Sequence, residues 1–507
     1  MDLSEISDQL VKPGNPARTD LPGMDYTRCA ALHNFLMRYA WVAEGRPLSS
    51  FNISNFFTAH GPAAEAIRPR LHPSVAAFLD LALVPSLHQE CPPLFFWVSR
   101  IINPEELFAE FAADIHDEPV DSILCLYWYN LEAGAQAGGG LFYDQRYHRA
   151  ASFMHMDDHD CAMPIAAHPD LWFPLETVLS HWIDLIINGK ITTSPPDVPS
   201  TSGSEKVGPW EWQPYSEAQV TSCVEAWDRL CEAIETRRRV SCLPTTSPEE
   251  NQPLLTTAAL DAASVPENCF IRSFATHARR PPFRHIAPGI LLPPFDPVEF
   301  AALQPYTSIP RSSETHIPPV CLFPAISGEY TMYLAKTPPS INPERFYNAF
   351  HFEGFQPYEY THSLSLLPEH IPAGVYSEAV DRIYCADTAE EGFHFLLPFS
   401  LRGENWNFPS ARREEEKGSG GGGGAKKSDG SFVKSGSAHE LFQHGYKPFG
   451  GQQWRAQRLE RLFEGWRRLV ADGVWEVGRD GVQGGMETWK EADEQGRWRD
   501  YVLGVSW

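Results

Sequence analysis

Residues 175–191 read LETVLSHWIDLIINGKI, and their apolar side chains recur at the spacing of an amphipathic helix. One face carries five of them, at offsets of 3, 4, 7 and 11: Leu175, Val178, Leu179, Trp182 and Ile186. A stripe of this kind packs one side of a helix against a core. Pro174 is a helix-start signal and Asn188-Gly189 a stop signal. The sequence therefore predicts a buried helix over 173–189.

A second stretch repeats this pattern near the end of the chain. Residues 459–475 read LERLFEGWRRLVADGVW, with Leu, Glu, Trp, Leu and Gly at the same offsets as in 175–191. One interpretation is two amphipathic helices that end on the same stop signal. The other is a duplicated helical unit, although two copies are too few for a solenoid.

The remaining patterns predict an α+β fold. Helix signals prevail over 25–240, where Asp25 and Pro73 each precede an apolar stripe. Residues 122–131, SILCLYWYNL, predict a buried strand. After residue 268 short apolar runs broken by prolines predict an antiparallel sheet region, with strands at 269–275, 318–323 and 329–335 and a hairpin pairing 382–386 with 393–399. A C-terminal helix is expected to pack back on the body.

Composition shifts divide the chain into six segments. They are a loose tail (1–23), a helix-rich unit with one buried strand (24–191), a linker (192–209), a mixed unit with mainly antiparallel strands after 268 (210–410), a disordered glycine-rich insertion (411–438) and a C-terminal helical segment (439–507). Limited proteolysis is expected to cut first in 192–209 and 411–438.

Charge and cysteine usage narrow the functional class. The 507 residues include 65 acidic and 41 basic ones, a net charge of −24, which repels phosphate backbones and anionic lipids. No nucleic-acid or membrane partner is expected, while a small molecule or a protein partner fits.

The ten cysteines form no CxxC pair, and the N-terminus, MDLSEISDQL, lacks a secretory signal. These features predict a cytoplasmic protein in a reducing environment.

The densest group of candidate metal ligands lies in residues 155–161, HMDDHDC. His155 and Asp157 have the His-x-Asp spacing of iron(II) dioxygenases, in which two histidines and one carboxylate hold the metal. His159 follows His155 by four residues, so on a helix the two would share an ion. The sequence thus offers His155, Asp157 and His159 as a metal site. The alternative is a solvated acidic loop.

A cluster of arginines marks a second candidate site. Arg279, Arg280 and Arg284 follow His277 within one short stretch, in a chain that is otherwise strongly acidic. Guanidinium groups recognise carboxylates and phosphates. The sequence therefore offers these three arginines as an anion-binding site, against the alternative of a solvated loop that offsets nearby acids.

Other short motifs lead to no assigned chemistry. Gly134, Gly138 and Gly140 follow a strand as in nucleotide-binding turns, but no clear helix comes after them. Residues 476–487 match an EF-hand frame only in part, and a hairpin at Asp480-Gly481 explains them better. The catalytic residues and any cofactor remain unknown at this point.

Two blocks resemble sequences from one group of organisms. Residues 171–192, LWFPLETVLSHWIDLIINGKIT, and 455–466, RAQRLERLFEGW, together with the GSGGGGG insertion, resemble uncharacterised proteins of filamentous fungi. The resemblance implies a fungal source and carries no fold, activity or residue role. Two functional classes therefore stand side by side. One is a cytosolic enzyme that acts on a small molecule with metal assistance, and the other is a non-catalytic interaction or scaffold protein.

Overall fold

The protein has an α+β fold, seen in a computed structural model. The structure describes residues 2–85, 90–108, 121–130, 139–154, 171–200, 206–241, 252–307, 313–331, 350, 368, 370–382, 389–401, 424–434, 436–445, 449–450 and 456–506. The α-helices are α1 (Tyr26–Ala43), α2 (Phe56–His60), α3 (Pro62–Ile67), α4 (Pro73–Leu81), α5 (Leu175–Ile187), α6 (Glu217–Ser241), α7 (Thr257–Ala262), α8 (Phe270–His277), α9 (Pro297–Ala302) and α10 (Leu459–Ala471). Short 3-10 helices span Leu3–Ile6, Leu48–Ser50, Arg68–Arg70, Met486–Asp493 and Trp498–Tyr501.

The strands are short and belong to several sheets. They are β1 (Ile53–Asn55), β2 (Leu83–Pro85), β3 (Val98–Ile101), β4 (Ile123–Tyr129), β5 (Gly140–Asp144), β6 (Arg149–Phe153), β7 (Ile191–Thr193), β8 (Lys206–Val207), β9 (Trp210–Trp212), β10 (His285–Ala287), β11 (Ile290–Leu291), β12 (His316–Ile317), β13 (Cys321–Thr331), β14 (His370–Ser377), β15 (Val380–Asp381), β16 (Phe393–Leu396), β17 (Val477–Gly478) and β18 (Gly481–Val482).

The larger sheets mark the two halves of the chain. In the first half β3-β4-β5-β6 form a four-stranded antiparallel sheet. In the second half seven strands line up in the order β16-β14-β13-β11-β10-β18-β17, and only β10 and β18 run parallel. Within the described residues, β7-β9-β8 form a third sheet, and β1-β2 and β12-β15 form two small ones.

Two main hydrophobic cores correspond to these two sheets. The first core consists of side chains between Ile6 and Trp212. It also contains Ala389 and Phe449, which lie much later in the sequence. The second runs from Val220 to Leu503 and includes α6 and α10, which pack together through Trp227 and Phe463 with ring centroids 5.2 Å apart. The C-terminal helix α10 therefore does pack back on the body, as predicted.

The two helices that share a sequence pattern also share their local structure. Each has 13 residues, begins at its leucine and ends one residue before an Asn-Gly or Asp-Gly pair. Trp182 and Trp466 occupy the same position and are fully buried. Gly189 and Gly473 have φ of +70° and +76°, the left-handed conformation that a glycine after a helix adopts without strain. The shared stop signal thus has the same physical role in both helices.

The segment 269–275 is a helix and not the predicted strand. It belongs to α8, whose apolar side chains Phe270, Ile271, Phe274 and Ala275 are buried. Their spacing is helical, but the segment is short, and short apolar runs do not distinguish a strand from a helix by periodicity. The helix ends before Pro281-Pro282, which matters below because the candidate arginines follow it directly.

The first strand of the predicted hairpin, 382–386, lies outside the described residues except for Arg382, and its second strand, 393–399, contains β16. Strand β16 pairs with β14, with Gly374 opposite Leu396 and Ser377 opposite Phe393. The long strand β13 runs through 321–331, where the sequence predicted two separate strands. Pro324 and the register shift between it and Glu329 interrupt the apolar pattern without ending the strand.

Two segments with linker-like composition contribute ordered structure. Within 192–209, β7 and β8 both pair with β9, whose Trp210 and Trp212 are fully buried. In the glycine-rich insertion 411–438, residues 411–423 and 435 lie outside the described residues. Ala425 and Val433, however, are buried in the second core. In 192–209, pairing with the strongly apolar β9 therefore orders polar residues that have no apolar pattern of their own.

The first half contains more sheet than the single strand predicted for 24–191. Strand β4 confirms the prediction over 122–131, and β5 and β6 add to it after the glycine-rich turn. In the described part of the chain, no helix combines the length and apolar character needed to cross a membrane.

Candidate anion-binding site

The three candidate arginines lie on the loop that joins α8 to β10. Helix α8 ends at His277, and Ala278 has an extended backbone, so Arg279 leaves the helix direction at once. Pro281 and Pro282 cannot continue a helix and keep the loop extended. Because neighbouring side chains of an extended chain point to opposite sides, Arg279 and Arg280 have different surroundings.

Arg279 is used to attach the loop to α6. Its Nη1 donates to Glu235 Oε1 at 2.7 Å, and its Nε lies 3.3 Å from Asp228 Oδ1. The Arg279 carbonyl also accepts a hydrogen bond from Trp227 Nε1 at 2.8 Å. Two carboxylates therefore neutralise Arg279, which does not line the cleft described below.

Arg280 is a half-buried cation held by neutral groups. Its Nη1 donates to the Leu254 carbonyl at 2.9 Å, and its Nη2 donates to the Pro293 carbonyl at 2.8 Å. The guanidinium carbon lies 5.2 Å from the ring centre of Phe295. No carboxylate pairs with Arg280 among the described residues, and burial lowers the pKa of its guanidinium. A guanidinium carries five N–H donors, so these two bonds leave donors for a ligand.

Arg284 is exposed at the edge of the same cleft. Its backbone N–H donates to the Asp480 carbonyl, and its own carbonyl accepts from Leu292 N–H, both at 2.9 Å. The backbone is therefore fixed while the side chain remains in solvent. In the part of the chain that the structure describes, the Arg284 side chain forms no ion pair.

The cleft beside these two arginines has a volume of about 560 Å³. Small-molecule sites typically span about 300–1,000 Å³, so the cleft is large enough for one ligand. Its walls consist mainly of apolar side chains and prolines: Pro281, Pro282, Phe283, Leu291, Leu292, Pro293, Pro294, Leu303, Pro324 and Ala325. The prolines fix their own φ angles and so restrict the backbone of the cleft walls.

Two acids, Glu299 and Asp480, also line the cleft. Neither forms an ion pair with Arg280 or Arg284 among the described residues. The cleft therefore carries basic and acidic residues together, which suits an anionic ligand that also has hydrogen-bond donors.

The other candidate site cannot be placed. His155, Asp157 and His159 lie in 155–170, outside the described residues, so their prediction as metal ligands is unchanged. Elsewhere in the described ranges, no group of three or more His, Cys, Asp or Glu side chains is arranged to hold a metal ion.

Sequence reasoning missed the walls of the cleft and two buried histidine–carboxylate pairs. The walls come from four distant segments, and the doublets Pro281-Pro282 and Pro293-Pro294 were their only local signal. His394 Nε2 lies 2.8 Å from Glu378 Oε2, and His316 Nε2 lies 3.0 Å from Asp381 Oδ2. These four side chains are buried away from the cleft, so they are not part of it.

Comparison with known proteins adds no further assignment, and the site is defined by its geometry alone. Protein-family models, curated proteins and solved structures were all compared with this chain, and none of them matches it.

Proposed function

We propose that the protein binds a small anionic molecule, a carboxylate or a phosphate, in the cleft between Arg280 and Arg284. The observation that carries this proposal is the state of Arg280, whose cation is half-buried, clamped by two carbonyls and not paired with an acid among the described residues. Desolvating a charge without a counter-ion is unfavourable, and a bound anion would relieve that cost.

This proposed function agrees with the class predicted from the sequence, a cytoplasmic protein that acts on a small molecule. The seven cysteines in the described ranges are all free thiols, which suits a reducing compartment.

The metal-assisted version of the function rests on His155, Asp157 and His159. Elemental analysis of purified protein tests it, because stoichiometric iron or zinc should disappear in a His155→Ala/His159→Ala variant.

Thermal denaturation with added anions tests the binding proposal. Citrate, inorganic phosphate and acetate at equal ionic strength should raise the melting temperature to different extents, since binding to the folded state alone stabilises it by mass action. The stabilisation should be smaller in Arg284→Gln, whose side chain has no structural partner among the described residues. Arg38→Gln is the matched control, because Arg38 is an exposed arginine on α1, remote from the cleft in the sequence and not among its lining residues. Equal responses to all anions in all three proteins would exclude the proposal.

A further inference from the structure

Four charged residues line the cleft, and within the described residues no two of them pair with each other. They are Arg280, Arg284, Glu299 and Asp480. Opposite charges close by do form ion pairs, since the neighbouring Arg279 pairs with Glu235 and Asp228. The side chains of Glu299 and Asp480, by contrast, are exposed and form no ion pair or hydrogen bond in the part of the chain that the structure describes. Charges of both signs are therefore left without a protein partner around one cleft.

This combination of charges favours a ligand that carries both signs itself. A simple carboxylate offers charge to Arg280 and Arg284 but nothing to the two acids, and a simple amine does the reverse. A zwitterion satisfies both pairs, because its carboxylate accepts hydrogen bonds from guanidinium groups and its ammonium group donates to carboxylates. Because it is neutral overall, it also avoids repulsion by a chain whose own net charge is −24. The charges thus favour a zwitterion over an anion or a cation of the same size.

The apolar walls of the cleft indicate the rest of the ligand. Phe283, Leu291 and Leu292 line the cleft together with the two proline doublets. A zwitterion without a side chain would leave this surface in contact with water, whereas an apolar side chain removes it from water at roughly 25 cal/mol per Å². Resting on the proposed function, we infer that the cleft takes a zwitterion with an apolar body, either a free apolar amino acid or a dipeptide of such residues.

The arginines and the acids have different roles in this complex. Arg280 already donates to two backbone carbonyls, so its guanidinium is oriented before the ligand's carboxylate arrives and loses little freedom on binding. Arg284 binds the same carboxylate from the edge of the cleft. Glu299 and Asp480 hold the ammonium group, and because exposed charge pairs are weak, each acid contributes only about a threefold gain in affinity. The arginines therefore supply most of the affinity for the carboxylate, and the acids select a ligand that also has an amine.

Isothermal titration of matched ligands into the full-length chain at neutral pH and low ionic strength tests the inference. L-leucine and L-leucyl-L-leucine carry both charges and an apolar body. Isocaproate has the leucine skeleton without the amine, and isoamylamine has it without the carboxylate. At least one of the two zwitterions should bind at one site per chain, with a Kd at least about fivefold below the values for both single-charge analogues. The tighter of the two zwitterions shows whether the cleft takes a free amino acid or a dipeptide, and either result supports the inference.

A double variant of the acids separates the inference from the proposed function. Glu299→Gln/Asp480→Asn removes both negative charges and keeps the size of the side chains. It should raise the Kd of the tighter zwitterion at least about tenfold and leave isocaproate binding unchanged or tighter. Glu5→Gln is the matched control and should change neither, because Glu5 is an exposed acid near the N-terminus and is not among the lining residues. Circular dichroism verifies that both variants are folded.

Isocaproate that binds the wild type as tightly as both zwitterions do would overturn the inference and leave the proposed function standing. The same conclusion follows if the folded double variant binds the zwitterion like the wild type, or loses isocaproate together with it. Absence of saturable binding of all these carboxylates and of citrate to the wild type would overturn both the inference and the proposed function.

Discussion

Lys190 and Glu391 form a buried ion pair between residues 201 positions apart in the chain. Lys190 Nζ lies 3.0 Å from Glu391 Oε2, and both side chains are almost fully buried, at 0% and 3% exposure. The Lys190 ammonium also donates to the Pro214 carbonyl at 2.9 Å. Glu391 lies two residues before β16, which pairs with β14, so the ion pair connects the chain just after α5 to the second sheet.

Removing one partner of this pair should destabilise the protein strongly. Lys190→Ala leaves a buried carboxylate without its cation, and we expect the free energy of unfolding to fall by about 3–5 kcal/mol. Urea denaturation followed by tryptophan fluorescence measures it. The double variant Lys190→Met/Glu391→Leu should recover most of the loss, because it leaves no unpaired charge. A single variant as stable as the wild type would show that the pair is solvated.

Replacing the buried tryptophans of the two similar helices by alanine should be costly at both positions, and replacing them by phenylalanine should cost more at Trp182. Trp182→Ala and Trp466→Ala each leave a cavity, with an expected cost of about 3–5 kcal/mol. Trp182 Nε1 also donates to the Phe449 carbonyl at 2.7 Å, whereas Trp466 Nε1 has no hydrogen-bond partner among the described residues. Trp182→Phe should therefore cost about 1 kcal/mol more than Trp466→Phe in urea titrations. The reverse order would contradict the assigned hydrogen bond.

His33 should make stability depend on pH below neutrality. Its Nε2 donates to the Leu83 carbonyl at 2.8 Å, and its Nδ1 accepts from the Tyr127 hydroxyl at 3.0 Å. Burial lowers the pKa of His33 to about 4. Because the unfolded chain takes up this proton near pH 6.5 and the folded chain only near pH 4, stability falls as pH decreases between these values, by up to about 3 kcal/mol.

The comparison variant for this effect is His33→Gln, which keeps hydrogen-bonding atoms but cannot titrate. The difference in unfolding free energy between the wild type and this variant should shrink as the pH falls from 7 to 4. A difference that stays constant across that range would mean that His33 titrates alike in both states.

The glycine-rich insertion should be sensitive to substitution where it enters the second core. Val433 is fully buried, and its N–H donates to the Ala425 carbonyl at 2.9 Å. Val433→Ala should cost about 2 kcal/mol through the lost contacts. Val298→Ala removes the same atoms from an exposed position and should be neutral within about 0.5 kcal/mol. Equal effects in thermal denaturation would place Val433 in solvent.

Elements with strong local signals were predictable from the sequence, and elements stabilised by distant partners were not. The apolar stripes and stop signals of α5 and α10 are sufficient to define each helix without knowledge of its partners, and both helices lie where predicted. Strand β8 has only two residues, and its pairing with β9 depends on the burial of Trp210. Helix α8 has eight residues, too few for its period to exclude a strand.

The candidate site shows the same limit. The sequence places Arg279, Arg280 and Arg284 in one cluster. The roles of Arg279 and Arg280, however, depend on hydrogen-bond partners that lie 13 to 52 positions away in the chain. Arg279 meets Glu235 on α6, whereas Arg280 meets Leu254 and Pro293. Neighbouring identical residues are indistinguishable until the fold determines which of them reaches an acid.

Isothermal titration of citrate into the protein at low ionic strength tests the central claim most directly, that Arg280 is a cation available to an anionic ligand. The account predicts saturable binding at one site per chain, weakened at least about tenfold by Arg280→Gln, about threefold by Arg284→Gln and not at all by Arg38→Gln. Circular dichroism confirms that each variant is folded. Absence of saturable binding to the wild type, or equal affinity in all four proteins, would contradict the account.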